Sequence, residues 1–281
     1  MVFLRHKIVN GNSYTYLVEN KWNSEKKIPI QKTIKYLGKT SNIILSDIPD
    51  KYRNSSSVIT FLGSNKNNDL ANREKYIKKI KKNFFDLLIH GKIDEVYCIY
   101  KEFTKYNTLS TFYQNILRPV LYTIGDMWDS KKLDVGDEHI ASNTVLRLLE
   151  IIKKEMRPRI TKEKTILICT PYSENHIIPC LMLETFLSIR GYEIINLAPS
   201  VPMISILNQI QSKKPDLVLI SITLVDHLQS AKRMIDKIKK TKTPILVGGQ
   251  ATINQEKIPG VEYIKSTSFQ KVVQLVKQVL K

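Results

Sequence analysis

One short segment concentrates the chemistry of this sequence: Pro171-Tyr172-Ser173-Glu174-Asn175-His176. It sets an imidazole two residues after a carboxylate. Neutral imidazole is a good metal ligand. A neighbouring carboxylate accepts the other ring N–H, fixes the tautomer and raises ligand basicity. A Glu-x-His pair on its own more often belongs to a helix-capping loop, so its weight comes from its company. Ser221 follows Pro179 after 41 residues, and Gly248-Gly249 follows Thr223 after 24. A Ser hydroxyl can donate to a ring nitrogen, and paired glycines let a ligand approach the backbone. There is no GxxxxGK[ST] loop and no GxGxxG after the first strand of this region, so phosphate-cradling nucleotide chemistry is unsupported.

The elements that must hold these residues alternate strand and helix. Strands are expected at Thr165–Thr170, Glu193–Ala198, Leu217–Leu224, Ile245–Val247 and Val261–Ile264. Helices fall between and after them, at His176–Arg190, Pro202–Gln211, Leu228–Lys240 and Phe269–Leu280. Such βα alternation predicts a five-stranded parallel sheet covered on both faces, Rossmann-like or flavodoxin-like. Ligands of such sheets sit at the carboxyl ends of the strands, where the loops above lie.

Upstream, residues 70–158 read as a four-helix bundle. Ile77, Ile80, Phe84, Leu87 and Leu88 recur at helical spacing beside a Lys-rich face, and Gly91 ends that helix. A second helix covers Ile93–Phe103. A third covers Ser110–Trp128, with Leu117, Leu121, Ile124 and Trp128 on one face. Asp134 is placed to N-cap the fourth. Residues 1–45 read as three strands: Asn10-Gly11 marks a hairpin turn, Tyr14, Tyr16 and Val18 alternate with their neighbours, and Ile28–Leu37 follows a polar turn. Residues 46–69, rich in Ser, Asn and Asp, read as a linker. The expectation is a multidomain chain: a basic β module at 1–45, a linker at 46–69, a helical bundle at 70–158 and an α/β domain at 162–281.

The chain has 281 residues with 42% apolar and 25% charged, which bounds it at about two domains and argues against wholesale disorder. Its apolar runs fall far short of the roughly 20 residues that span a bilayer, and Met1–Lys7 holds no signal-like core, so a cytoplasmic location is expected. Cys98, Cys169 and Cys180 form no CxxC pair and read as reduced thiols. The net charge is +18. It is densest in the N-terminal part, where residues 1–66 hold 11 basic and 4 acidic side chains. A positive field favours polyanions. A basic three-stranded sheet could lie in a nucleic-acid groove, with Arg5, Lys7, Lys32 and Lys35 on phosphates and Tyr14 and Tyr16 stacking or packing.

Glu174-x-His176-x-x-Pro179, Ser221-x-Thr223 and Gly248-Gly249 together resemble the cobalamin-binding domain, whose pattern is Asp-x-His-x-x-Gly, Ser-x-Leu and Gly-Gly at comparable spacing. The resemblance implies that His176 replaces the cofactor's own base as lower cobalt ligand, with Glu174 behind it. It implies that Ser221, Thr223, Gly248 and Gly249 line the site of the displaced tail. Glu stands in place of Asp, Thr223 in place of Leu, and Pro179 in place of Gly. Trp128, followed after nine residues by Glu138-His139, resembles the Trp-x9-Glu-His cap of adenosylcobalamin-dependent photoreceptor repressors, related to the MerR-type regulators. There the Trp covers the adenosyl group, with the Glu-His pair nearby. The His that follows the Trp in one light-sensing branch is Asp129 here. The N-terminal segments Tyr14–Glu19 and Thr33–Gly38 are similar to a hairpin module of some transposase-related proteins, not to a winged helix.

The leading expectation from these likenesses is a non-catalytic, homo-oligomeric cobalamin sensor. It would bind adenosylcobalamin, or methylcobalamin, base-off and His-on, regulate transcription and bind DNA through its N-terminal module, away from any membrane. The alternatives are a corrinoid carrier for methyl transfer, the small subunit of a radical mutase, and a degenerate domain.

Overall fold

The computed structural model describes residues 2–9, 11–23, 28–64, 70–253, 258–265 and 268–280. Asn10 of the expected hairpin turn, residues 24–27 of the second turn and residues 65–69 of the expected linker lie outside the described residues. The chain forms two compact units, Met1–Thr144 and Val145–Lys281.

The first unit begins with an antiparallel sheet, in the order β1 (Val2–Val9), β2 (Asn12–Asn23), β3 (Ile28–Lys39). The register runs from Val2 opposite Glu19 to Val9 opposite Asn12, and Gly11 takes the positive φ (75°) that the tight turn needs. One face of the sheet carries the buried Leu4 and Leu17. They pack in a core with Ile43, Ile48, Val58, Phe61, Leu62 and Tyr76.

That core corrects the linker expectation. Residues 40–52 form three short 3-10 turns, and α1 spans Ser56–Ser64. The polar composition that suggested a linker lies on the outside. The apolar residues scattered through it are what cover a sheet too small to stand alone.

Four further helical stretches follow: α2 (Leu70–Ile89), α3 (Ile93–Thr104), a stretch built from α4 (Leu109–Phe112) and α5 (Arg118–Asp129), and α6 (Val135–Met156). Ile80, Phe84 and Leu88 are buried on α2, and Phe112 meets the Phe84 ring edge-on at 5.7 Å and the Tyr100 ring at 5.2 Å. Gly91 ends α2 with φ 67°, its N–H donating to the Leu88 carbonyl and that of Lys92 to Leu87. The expected third helix is not regular. A π-helical turn, Tyr113–Leu117, joins α4 to α5. Pro119, in the first turn of α5, has no N–H to donate backward, which is a recognised cause of such widening.

The second unit is a parallel sheet in the order β5 (Glu193–Asn196), β4 (Thr165–Cys169), β6 (Leu217–Ser221), β7 (Ile245–Gly248), β8 (Glu262–Tyr263). Helices α7 (Ile178–Ser188), α8 (Met203–Lys213), α9 (Leu228–Lys239) and α10 (Phe269–Val279) connect and follow the strands. β6 is buried at every position, as the apolar run in its sequence requires of a strand covered on both faces. In chain order the strands run 2-1-3-4-5, the flavodoxin-like arrangement. The direction of winding reverses between β4 and β6, so the carboxyl ends of those two strands form the crevice. No helix among the described residues is long and apolar enough to cross a membrane.

Candidate functional site

The loop after β4 carries Glu174 and His176 into that crevice. Glu174 is fully buried, its carboxylate spanning the crevice between the loops that follow β4 and β6. Oε1 accepts from the His176 ring at Nδ1 (2.5 Å) and from the His176 amide (3.2 Å). Oε2 accepts from the amides of Thr223 (2.9 Å) and Leu224 (3.1 Å). Burial alone would push this carboxyl up. The bond to the His176 ring and those from the Leu224, Thr223 and His176 amides outweigh it together, holding the group at about 2. Glu174 is therefore a fixed anion, and it holds the imidazole through Nδ1.

These bonds also explain two strand and helix limits. β6 ends at Ser221, short of the expected Leu224, because the Thr223 and Leu224 amides turn to Glu174. α7 starts at Ile178 and not at His176, because the His176 amide and ring are both held by Glu174. Pro179 suits the first turn of α7, where a missing N–H costs nothing. Thr223 contributes its main-chain N–H, so a Thr where the related pattern has Leu leaves this contact intact.

Ser221 and Gly248 stand opposite each other in the β6–β7 ladder, and Ser221 is buried. Its hydroxyl acts on the buried Cys180 thiol at the start of α7, a residue without any sequence motif to flag it. Burial pushes that thiol up to about 12, with the Ser221 bond pulling the other way, so Cys180 is an inert neutral thiol. Gly249 has φ 113°, and a Cβ there would collide with the Ile222 carbonyl. A Cβ on Gly248 would come within 3.0 Å of Ile264. The fold itself thus demands Gly249, whatever ligand approaches it, whereas at Gly248 the Ile264 side chain would have to give way by a few tenths of an ångström. Thr170, also unflagged by any motif, organises the loop: its buried hydroxyl donates to the Glu174 carbonyl (3.0 Å) and accepts from the Ser200 amide (2.9 Å). Glu174, His176, Ser221, Thr223, Gly248 and Gly249 are therefore gathered at one end of one sheet.

The remaining expected cofactor residues lie in the first unit. Trp128 is 49% exposed near the end of α5, so it is not bundle core. Glu138 and His139 pair through Oε2 and Nδ1 at 2.5 Å, and Ser142 donates to Glu138 Oε1 at 2.6 Å. Of the residues expected to meet nucleic acid, Arg5, Lys7, Tyr14 and Tyr16 share one face of the N-terminal sheet, as the register Arg5–Tyr16 and Lys7–Tyr14 requires. Lys32 stands opposite Glu19, and the Lys35 ammonium donates to the Asp47 carbonyl at 2.7 Å, so these two do not join that face.

Among the described residues no three His, Cys, Asp or Glu side chains gather as a metal cage. The donor set at the crevice, one imidazole oriented by a carboxylate, fits a metal that arrives with its own equatorial ligands, as in a corrin ring. Residues 164–266 match the family model described as B12 binding domain, and residues 80–153 match a second model of the same description. Trimethylamine corrinoid protein 1 of Methanosarcina acetivorans is 25% identical over 140 residues, 47% of this chain and 64% of that protein. The protein of the same name from Methanosarcina mazei is 24% identical over 140 residues, with the same shares, 47% and 64%. The chain thus spans less than two thirds of the length of these relatives. A monomethylamine corrinoid protein of Methanosarcina barkeri has a similar fold, with a TM-score of 0.59 at 14% identity over 72% of this chain and 98% of that one. The α/β sheet with its crevice, and the helical segment ahead of it, are thus the two parts of this chain that match B12 binding domains.

Proposed function

We propose that this chain is a corrinoid carrier for methyl transfer, holding cobalamin base-off with His176 as the lower cobalt ligand. The observation that carries the reading is the buried Glu174 carboxylate, which orients His176 through Nδ1 while anchored to two amides of the neighbouring loop. With Nδ1 taken, cobalt would be bound through Nε2. The bound corrinoid would supply a cobalt able to take up a methyl group and give it away. The protein's part is to bind, orient and tune. Glu174 keeps the imidazole in one tautomer and raises its basicity. Ser221, Thr223, Gly248 and Gly249 would flank the displaced tail of the cofactor.

The names of the Methanosarcina relatives support the carrier over the sensor. In the sensor reading Trp128, Glu138 and His139 shield an adenosyl group and the chain regulates transcription; nothing among those relatives supports it. The carrier itself is not the catalyst. Its partner would be a methyltransferase.

The test is reconstitution with hydroxocobalamin and methylcobalamin. A base-off, His-on spectrum is expected, with retention lost in His176→Ala. Holoprotein reduced at cobalt is then mixed with a methylamine and its methyltransferase, and should acquire the methyl group. Retention without any methyl exchange would refute the carrier and leave only binding. A change in oligomer size of the adenosylcobalamin form on green light, beyond the spectral change that photolysis of the cofactor brings by itself, would restore the sensor. No retention by the wild-type chain would refute both.

A further inference from the structure

The N-terminal sheet is two-sided: the fold packs its core on one side, and on the other Val18 is buried while Tyr36 and Trp22 stand exposed. Its inner face carries Leu4, His6, Thr15 and Leu17. His6 stacks on Phe61 (5.9 Å between ring centres), and its Nδ1 is 2.8 Å from the Thr15 hydroxyl. The outer face is set by the register. One row across the strands reads Arg5–Tyr16–Tyr36, and the next reads Lys7–Tyr14–Lys39. The three tyrosines form one cluster, with ring centres 4.9 Å apart for Tyr16 and Tyr36 and 6.5 Å for Tyr14 and Tyr36. Tyr36 is 52% exposed. Trp22, of the same strand parity on β2, is 66% exposed. No carboxylate stands in either row. Tyr36 and Lys39 join Tyr14 and Tyr16 on this face without any sequence motif to flag them. Two β-bulges, between Thr15 and Tyr16 and between Leu17 and Val18, shift the β3 register and put those two in line.

A tyrosine cluster with one exposed ring, bordered by cations in two rows that hold no carboxylate, matches one kind of occupant best. Bases offer π-faces to stack on the rings, and phosphates offer charge to the lysines and arginine. A duplex hides its base faces, so stacking selects single strands. We propose that the outer face of the N-terminal sheet, centred on Tyr14, Tyr16 and Tyr36 and flanked by Arg5, Lys7 and Lys39, binds single-stranded nucleic acid. This site is independent of the corrinoid reading and stands or falls without it.

The experiment is fluorescence anisotropy of the full chain with a labelled single-stranded dT 15-mer, the matching duplex, and inorganic polyphosphate as a competitor without bases. Single-strand binding should exceed duplex binding. Tyr36→Ala, at an exposed position, should fold and lose about tenfold or more in affinity, since it removes a ring on which a base stacks. A triple variant, Arg5→Gln, Lys7→Gln and Lys39→Gln, should lower the slope of log affinity against log salt by about 2. No binding, equal binding of duplex, or a Tyr36→Ala variant that binds as the wild type and is displaced equally by polyphosphate would each overturn the proposal. The last result would reduce the face to diffuse charge.

Discussion

Replacing Glu174 by Gln tests the centre of the site, because the structure leaves an amide no good orientation. The carboxylate uses both oxygens as acceptors, Oε1 toward the His176 ring and amide and Oε2 toward the Thr223 and Leu224 amides. A Gln side chain keeps one oxygen and turns an NH2 group onto the other pair of donors. Turned one way it orphans both loop amides; turned the other it orphans the His176 amide and forces the His176 ring into the other tautomer, so one or two charge-assisted hydrogen bonds are lost at about 1.5–3 kcal/mol each. A second route reaches the same scale: the drop of this carboxyl from its ordinary 4.5 to about 2 corresponds to about 3 kcal/mol in favour of the bound anion. With a urea dependence of about 2 kcal/mol per molar, the unfolding midpoint of the α/β unit should fall by about 2 M. Cobalamin affinity should fall about 10–100-fold, because His176 loses its orienting partner. Urea titration of the apo-protein and equilibrium binding of hydroxocobalamin measure the two effects. A variant with an unchanged midpoint and unchanged affinity would show that Glu174 neither anchors the loops nor orients His176.

Gly249→Ala should destabilise the α/β unit by about 3 kcal/mol or more, since φ is 113° and a Cβ meets the Ile222 carbonyl; urea unfolding reads this directly. Thr170→Val should cost about 1–3 kcal/mol, because it orphans the Ser200 amide and the Glu174 carbonyl; a variant as stable as wild type would remove Thr170 from the loop's framework. The His6 ring is held at about 4, first by burial and second by the charge of Lys105. The unfolded chain therefore binds the extra proton between about pH 6.5 and 4, and the folded chain does not. The first unit should be fully stable above pH 6.5 and lose up to about 3 kcal/mol as pH falls to 4. Denaturation midpoints against pH check this, and a His6→Leu variant should abolish that part of the slope.

The readable parts of the chain were those governed by local period. The Asn-Gly turn, the strand–helix alternation after residue 164 and the buried stripe of α2 follow from neighbours two to four positions apart. The spacing from Glu174 to Gly249 was readable for a related reason. A 2-1-3-4-5 sheet returns its strand ends to one edge at chain intervals set by strand and helix lengths. The linker expectation failed because Ile48 stands alone among polar residues, and Val58, Phe61 and Leu62, at helical spacing, mark a helix too short to stand out from its polar surroundings. Their common role exists only against the sheet they cover. The π-turn at Tyr113–Leu117 was missed because periodicity cannot register one residue's widening.

The sequence by itself determined which residue types stand at the sheet's carboxyl edge: an imidazole, a carboxylate two residues before it, a serine and two glycines. It also determined the class of fold that brings them together. Only the tertiary structure decided what the carboxylate does. Two of its four hydrogen bonds come from main-chain amides 49 and 50 residues away, donors that every sequence carries and no motif reveals. The same holds for the hydrogen bond between Tyr106 and His6, partners 100 residues apart, and for the bulges that align Tyr36 with Tyr16. Residue identity sets what chemistry is possible, but backbone amides and register acquire direction only when distant segments pack.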